Sequence, residues 1–247
     1  WDMTGRLILK FEGHTGIINS VSFSPDGQSI LTASEDGTSR LWDMEGKVSQ
    51  IFPQESGVRC SLFSPGGKFI LTATNQWGEM ARLWDLHGKL IHEYFDITYS
   101  AMGVITLAFS PDENSFVAVT GENKLWLWGI NGKLIKEFKP LPQAITSVKF
   151  SPDGKTILTG SVDGIALLLN LSGNIIQEFK GHTDVISTVD FSPDGKYVLT
   201  GSYDNTARIW MVPMPLENFL SSDKAEVLSD EQKKKYGIKR TSKYPLR

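Results

Sequence analysis

The chain has 247 residues, of which 40% are hydrophobic and 21% are charged, a composition typical of a folded globular protein. The formal net charge of -3 argues against a general nucleic-acid-binding or anionic-membrane-binding surface. No apolar run approaches the roughly 18 residues that a membrane-spanning helix needs. The one cysteine, Cys60, cannot form an intramolecular disulfide and fits a reducing compartment, so we expect a cytoplasmic protein without a membrane partner.

The chain opens with an apolar run at residues 6–11, which predicts a β-strand within an outer-strand segment at residues 1–12. Five copies of a longer unit follow, beginning near residues 13, 54, 100, 141 and 181. Each copy contains a Phe-Ser-Pro segment followed by a turn, at Phe23, Phe63, Phe109, Phe150 and Phe191. A period of about 40 residues is typical of repeat architectures in which neighbouring units share a core.

Each copy contains the signals of four short strands. In the last copy, residues 185–191, 197–201 and 206–210 are apolar or alternating runs, and Pro193 and Gly195 mark a tight turn between the first two. The other copies add a glycine turn and a fourth apolar run, such as residues 89–95. No helix period is visible before residue 215, so we predict an all-β protein of four-stranded antiparallel units.

Dipeptide motifs extend this pattern. Gly-His pairs stand at residues 13–14 and 181–182, and Trp-Asp pairs at residues 1–2, 42–43 and 84–85. With the five Phe-Ser-Pro segments, these motifs resemble the WD-repeat β-propeller family over residues 1 to about 212. The resemblance implies that each copy is a blade and that the blades pack face to face around an axis. The near-identical copies resemble bacterial WD-repeat chains in style.

The resemblance also implies a hydrogen-bonded network inside a blade, made of a histidine, a Ser/Thr, an aspartate and a tryptophan. The spacing fits two sets: His14, Thr32, Asp36 and Trp42 in the first blade, and His182, Thr200, Asp204 and Trp210 in the fifth. A hydrolase triad is the alternative, but the set recurs in two blades and its hydroxyl belongs to a strand. The second, third and fourth copies depart from the motifs, so we expect their networks to be absent or incomplete.

The sheet pattern ends at Pro213 and Pro215. We therefore divide the chain into a propeller domain at residues 1–212 and a basic C-terminal tail at residues 213–247. Residues 216–220 and 229–236 could form short helices, and a partly disordered tail is the alternative.

The resemblance implies that the protein is a noncatalytic scaffold or ligand-sensing module that binds other proteins. Family contacts commonly come from the residues three and five after the histidine and from the residue before the aspartate. Carried over by position, with an inner-turn tryptophan added, the candidates are Ile17, Asn19, Glu35, Arg59, Trp77, Ile105, Thr146, Val162, Val185, Ser187 and Tyr203. Apolar, aromatic and arginine side chains are typical of protein-binding surfaces.

Three interpretations remain open at this point. The protein could be the C-terminal part of a longer multidomain signalling protein, which we favour, or a five-blade ring closed by residues 1–12. A propeller enzyme, a hydrolase or lyase with its site in the central channel, is the less favoured functional alternative. We expect no cofactor and no metal, because His87 and His92 have no cysteine or further histidine nearby in the sequence.

Overall fold

The computed structural model describes residues 3–74, 79–95 and 103–213. In these residues the regular structure consists of β-strands, arranged in four four-stranded sheets and one three-stranded sheet. The predicted all-β fold with four-stranded antiparallel blades is confirmed. Contacts divide the chain into Trp1–Val212 and Pro213–Arg247. The helices predicted for the tail lie outside the described residues.

Each sheet is one repeat, with its strands paired in chain order. Blade one comprises β1 (Ile18–Phe23), β2 (Ser29–Ser34), β3 (Thr38–Asp43) and β4 (Val48–Pro53). Blade two comprises β5 (Val58–Phe63), β6 (Phe69–Thr74), β7 (Glu79–Asp85) and β8 (Leu90–Phe95). Blade three comprises β9 (Val104–Phe109), β10 (Ser115–Thr120), β11 (Leu125–Gly129) and β12 (Leu134–Glu137). Blade four comprises β13 (Ile145–Phe150), β14 (Thr156–Ser161), β15 (Ile165–Asn170) and β16 (Ile175–Lys180). Blade five comprises β17 (Ile186–Phe191), β18 (Tyr197–Ser202) and β19 (Ala207–Met211).

The Phe-Ser-Pro segments form the hairpins between the first and second strands of the blades. In blade one, the Ser24 hydroxyl donates to Asp26 Oδ1 at 2.6 Å, and the same carboxylate oxygen accepts the Gln28 N–H at 3.0 Å. Gly27 has a φ of 70°, which a residue with a side chain rarely adopts. The segment therefore fixes both the turn and the register of the two strands.

The core lies between the blades. One cluster joins Leu31 and Leu41 of blade one to Phe63 and Trp84 of blade two, and equivalent clusters join each later pair of blades. Apolar area buried between neighbouring blades is the main stabilising contribution, at roughly 25 cal/mol per Å². Each blade is therefore stabilised by the neighbours on which it packs.

The five blades form an open arc. The first strands of successive blades pack on one another, β1 on β5 and so on to β13 on β17, but no comparable packing joins β17 to β1. The five-blade ring considered from the sequence is therefore not formed.

The outer strand expected within residues 1–12 is not formed in residues 3–12, which have an irregular conformation. A β-strand needs a neighbouring strand to satisfy its backbone hydrogen bonds, and none of the described strands pairs with this segment.

Candidate functional site

The four side chains of the blade-one set form one hydrogen-bonded chain. His14 Nδ1 lies 2.8 Å from Asp36 Oδ2, and His14 Nε2 lies 2.7 Å from Thr32 Oγ1. The indole Nε1 of Trp42 donates to the same hydroxyl oxygen at 2.8 Å. Because the ionised carboxylate only accepts, His14 donates from Nδ1, and in the neutral ring Nε2 accepts the hydrogen of the threonine hydroxyl. The chain thus links β2, β3 and the turn between them to the segment before β1.

The aspartate of blade one is held in its charged form. Burial by itself would raise the pKa of Asp36, but hydrogen bonds from Thr38, His14 and the Thr15 N–H hold it below its ordinary value of 3.8. The side chains of His14 and Asp36 are only 4% and 6% exposed. A buried carboxylate is stable only with such partners, so the network has a structural role.

Blade five repeats this geometry. His182 Nδ1 lies 2.7 Å from Asp204 Oδ2, and Nε2 lies 2.7 Å from Thr200 Oγ1, which accepts the Trp210 N–H at 2.9 Å. The hydrogen bond from the Thr206 hydroxyl contributes most to lowering the pKa of Asp204. The same set in two blades, with its hydroxyl bonded to an indole, does not present a free nucleophile.

Blade two contains a network that the sequence motifs did not reveal. Gln54 stands where blade one has its histidine, and its Nε2 donates to Thr72 Oγ1 at 2.9 Å. Trp84 Nε1 donates to the same oxygen at 2.9 Å, and Arg82 donates to Gln54 Oε1 at 3.0 Å and to Glu93 at 2.9 Å. The tetrad of blade two is incomplete, as expected, because it has neither the histidine nor the aspartate, but the amide of Gln54 replaces one imidazole contact. Counting nine residues back from Phe63 would have identified Gln54.

Blades three and four lack part of the polar set at the described positions, although blade four keeps Thr159 and Asp163. In blade three, Ala118 occupies the register position of the threonine, and Trp128 Nε1 has no hydrogen-bond partner among the described residues. In blade four, Leu141 and Leu169 belong to one apolar cluster where histidine and tryptophan would lie. These blades replace hydrogen bonds with packing, as the departures in their sequence suggested.

Backbone hydrogen bonds beside the start of the first strand hold candidate contact positions of blades one, four and five. The Glu35 N–H donates to the Ile17 carbonyl, and the Tyr203 N–H donates to the Val185 carbonyl, both at 2.9 Å. Val162 makes the equivalent bond to Ala144 in blade four. The residue before the aspartate is therefore held beside the residue three after the histidine in each of these blades.

Three candidate side chains on the first strands make hydrogen bonds within the arc. Asn19 Nδ2 donates to Val58 O of blade two at 2.9 Å and to Glu35 Oε1 at 2.7 Å. Thr146 donates to the carbonyl of Ile186 in blade five, so both side chains link neighbouring blades. The hydroxyl of Ser187 instead donates within its own blade, to Gly201 O at 3.2 Å.

The remaining candidates differ in exposure. Ile17, Arg59 and Tyr203 are exposed, whereas Ile105 and Val185 are half-buried. Ile17 and Tyr203 are 73% and 66% exposed, which is high for such large apolar side chains. Trp77 lies outside the described residues.

The described residues offer neither a reactive thiol nor a metal site. Burial raises the pKa of the Cys60 thiol to about 12, so it is not a reactive nucleophile at neutral pH. No group of three His, Cys, Asp or Glu side chains that could hold a metal ion occurs in residues 3–74, 79–95 and 103–213. Over the same stretches, no helix has the length and apolarity to cross a membrane.

A model of a known protein family matches four stretches of the chain. The family model described as WD domain, G-beta repeat matches residues 5–43, 46–85, 132–168 and 173–211. The stretch between the second and third matches contains the first three strands of blade three, in which Ala118 stands at the position of the threonine.

Two curated relatives share about half of the chain. Small ribosomal subunit protein RACK1y of Oryza sativa subsp. japonica is 29% identical over 139 residues, covering 53% of this chain and 40% of that protein. Cross-pathway control WD-repeat protein 2 of Flammulina velutipes is 30% identical over 141 residues, covering 53% of this chain and 43% of that protein. The matches span less than half the length of either relative. Because the family model matches more than half of the chain, in the repeats that form the blades, the chain belongs to the WD-repeat family.

Proposed function

We propose that the protein is a noncatalytic scaffold that binds other proteins through the end of the arc defined by Ile17, Val162 and Tyr203, hereafter the contact end. The observation that carries this proposal is their exposure at the positions that backbone hydrogen bonds join in blades one, four and five. Each of these residues takes part in a backbone hydrogen bond that joins the segment before the first strand to the turn after the second strand. Because these bonds hold the exposed apolar residues in place, less conformational entropy is lost when a partner binds.

The charged and polar neighbours suit a protein partner. Glu35, whose N–H bonds to the Ile17 carbonyl, and Arg59 of blade two are both exposed. Apolar anchors surrounded by charged groups of both signs are typical of protein interfaces. We assign this scaffold role to residues 1–212 and treat residues 213–247 as a separate tail.

The enzyme alternative has less support. The set closest to a catalytic constellation is His14, Thr32 and Asp36, and each polar atom of the threonine and histidine side chains is bonded within the blade. A general base must reach a substrate proton within about 3 Å, which a nearly fully buried ring does not do.

The names of the two relatives support a role in binding other proteins. One is named as a small ribosomal subunit protein and the other as a cross-pathway control WD-repeat protein. The first name describes a component of a large assembly. We extend to this chain only the general expectation that its blades bind other proteins.

Quantitative affinity capture from a lysate of the source organism tests the proposal. Capture by the wild-type chain is compared with capture by the Ile17→Ala and Tyr203→Ala variants. Ile135→Ala is the matched control, because Ile135 is 54% exposed but lies on the outer strand of blade three. We expect specific proteins to be lost with both contact-end variants and retained with Ile135→Ala.

Either of two results would argue against this assignment. Equal capture of proteins by the wild type and all variants would show that the contact end does not bind them. Loss with Ile135→Ala alone would move the binding surface to the outer strands. Thermal melting of each variant identifies losses that arise from unfolding.

A further inference from the structure

The turn between β11 and β12 of blade three contains Asn131 followed by Gly132, the one Asn-Gly pair in the 247-residue sequence. Asn131 is exposed, and Gly132 has a φ of 82°. The side-chain carbonyl carbon of an asparagine is separated by four bonds from the nitrogen of the next residue, so attack by that nitrogen closes a five-membered ring. A glycine at the next position has no side chain to hinder the attack. The turn therefore places an electrophile and an unhindered nucleophile in adjacent residues.

The Asn131 side chain folds back over this turn. Its Oδ1 accepts the Lys133 N–H at 3.1 Å, and a Cβ at Gly129 would lie only 2.6 Å from the same oxygen. In blades one and two a carboxylate has this role, because Asp43 and Asp85 accept the N–H of the equivalent lysine at 2.9 Å. Asn131 thus supplies the acceptor that blade three lacks through the glycine at position 129.

An imidazole from the preceding blade lies against the glycine of the turn. A Cβ at Gly132 would be 1.9 Å from His92 Nε2, so the ring occupies the space that a side chain at this position would need. The hydroxyl of Tyr94, on the same strand as His92, donates to the Ile130 carbonyl at 3.0 Å and holds the turn beside β8. A neutral imidazole has one nitrogen that accepts a proton. Blade two therefore places a proton acceptor next to the Asn-Gly pair.

We propose that Asn131 is a deamidation site of the folded protein and that His92 assists the reaction. The hydrogen bond from the Gly132 N–H to Gly129 O, 3.0 Å long, opens first. The Gly132 nitrogen then attacks the side-chain carbonyl carbon of Asn131 and closes a succinimide ring. His92 accepts the proton of the attacking nitrogen and returns one to the side-chain nitrogen, which leaves as ammonia. Water breaks one of the two ring C–N bonds and gives an aspartyl or an isoaspartyl residue.

The two products should differ in their effect on the turn. The aspartyl product keeps an oxygen in reach of the Lys133 N–H and restores the carboxylate that blades one and two have. The isoaspartyl product directs the main chain through the side-chain carbon and lengthens the turn by one atom. That change is incompatible with the bond from the Gly132 N–H to Gly129 O. One product therefore fits the fold, and the other loosens β12 from β11.

Peptide mapping by mass spectrometry tests the proposal on the full chain, incubated near neutral pH and sampled over time. We expect the asparagine form of the peptide that contains Asn131 to be replaced by the aspartyl and isoaspartyl forms, with release of one ammonia per chain. Asn174 is the internal control, because the branched side chain of Ile175 hinders attack by the next nitrogen. Asn174 should remain unmodified over the same time.

The variant His92→Gln separates the effect of the imidazole from that of the Asn-Gly pair. Gln50 already lies against Gly88 in the equivalent place between blades one and two, so this variant should fold, which thermal melting verifies. The deamidation rate of Asn131 should fall by about tenfold, which is less than the full effect of a general base positioned on the reacting atom. His87→Gln is the matched control, since it removes an exposed imidazole from the neighbouring turn of blade two and should leave the rate unchanged.

Three results would contradict parts of this proposal. A folded wild type that keeps Asn131 intact, over a time in which the chain unfolded in urea deamidates, would show that the turn protects the residue and would overturn the site. Equal rates in the wild type and in His92→Gln would overturn the role of the imidazole. Asn131→Asp supplies the aspartyl product directly and should melt at the temperature of the wild type or above it. A lower melting temperature would contradict the fit of that product.

Discussion

Gln54 Nε2 donates a hydrogen bond to Thr72 Oγ1 at 2.9 Å, in the place where His14 contacts Thr32 in blade one. The glutamine amide also accepts a hydrogen bond from Arg82 at 3.0 Å. Blade two therefore keeps the link between its threonine and the segment before its first strand, although the histidine is absent. This link makes the fold of blade two testable at a single residue.

Removal of the Gln54 amide should destabilise the protein. In Gln54→Ala, the buried hydroxyl of Thr72 loses a donor and Arg82 loses an acceptor, and we expect a loss of about 1–3 kcal/mol in the free energy of unfolding. Urea denaturation measures the change. The control is Gln177→Ala, because Gln177 is exposed and bonds only to the adjacent carbonyl of Glu178. A Gln54→Ala variant as stable as this control would show that the amide is dispensable.

Asp36 should be equally important in blade one. Asp36→Ala removes the acceptor of His14, Thr38 and the Thr15 N–H, and we expect a loss of about 1–3 kcal/mol in the free energy of unfolding. Asp184→Ala is the control, since Asp184 is exposed and accepts only the N–H of the next residue. Similar denaturation midpoints for the two variants would contradict a structural role for the network.

The two aspartates should also make stability depend on pH. The folded-state pKa values of Asp36 and Asp204 lie below the ordinary value of 3.8, so the unfolded chain takes up protons first as the pH falls. Their contribution is therefore full above about pH 5 and is lost as the pH falls through 4 toward the folded-state values. The Asp36→Asn, Asp204→Asn double variant should be less stable at pH 7 and should lose less stability between pH 5 and pH 3. Denaturation midpoints of the wild type and the double variant across this range measure both effects. If the two proteins showed the same pH dependence of stability, Asp36 and Asp204 would not be its cause.

Gly13 should tolerate no side chain, because its φ is 143° and a Cβ would lie 2.6 Å from Arg40 Nη1 and 3.5 Å from the Trp42 ring. Gly13→Ala should cost about 1–3 kcal/mol through backbone strain and displacement of the arginine. Gly27→Ala is the control for a position in the left-handed region without a steric contact, since Gly27 has a φ of 70° and no atom within 4 Å of its Cβ position. We expect the larger loss of melting temperature for Gly13→Ala, and the reverse order would contradict the combined cost of strain and contact at Gly13.

The regular parts of the fold could be predicted because their signals are local. A turn such as residues 24–27 is specified by Ser24, Pro25, Asp26 and Gly27 themselves, so strand order and hairpin register followed directly. Local signals do not determine whether the ends of an arc meet. That outcome depends on the number of blades and on the strand available to pair with residues 6–11, which is why the expected outer strand is not formed.

The candidate site was less predictable, because a different type of side chain can make the same hydrogen bond at the same position of a blade. A motif search detects the histidine of blade one but not Gln54, whose amide makes the corresponding bond to Thr72. Position alone also does not separate exposed contact residues from those with internal partners. Ile17 and Asn19 are two residues apart and both are exposed. The side chain of Asn19 is nevertheless hydrogen-bonded to the neighbouring blade, whereas the side chain of Ile17 is apolar and 73% exposed.

Blade three offers a gain-of-stability test of the same chemistry. Trp128 Nε1 is buried without a partner among the described residues, and Ala118 stands where blades one and two have a threonine that accepts the indole hydrogen. Ala118→Thr should place a hydroxyl oxygen within reach of Trp128 Nε1. Ala118→Val has nearly the same shape without the acceptor, so the comparison isolates the hydrogen bond.

We expect Ala118→Thr to be more stable than Ala118→Val by about 0.5–1.5 kcal/mol in the free energy of unfolding, the usual net contribution of one hydrogen bond. The matched control is the same pair of substitutions at Ala33, which is buried on a neighbouring position of blade one. There the valine variant should be the more stable, because a buried hydroxyl without a new partner costs free energy. The opposite sign at the two positions is the expected result. If valine were also preferred at position 118, the indole of Trp128 would not be the missing donor of a threonine-centred network, and packing alone would account for blade three.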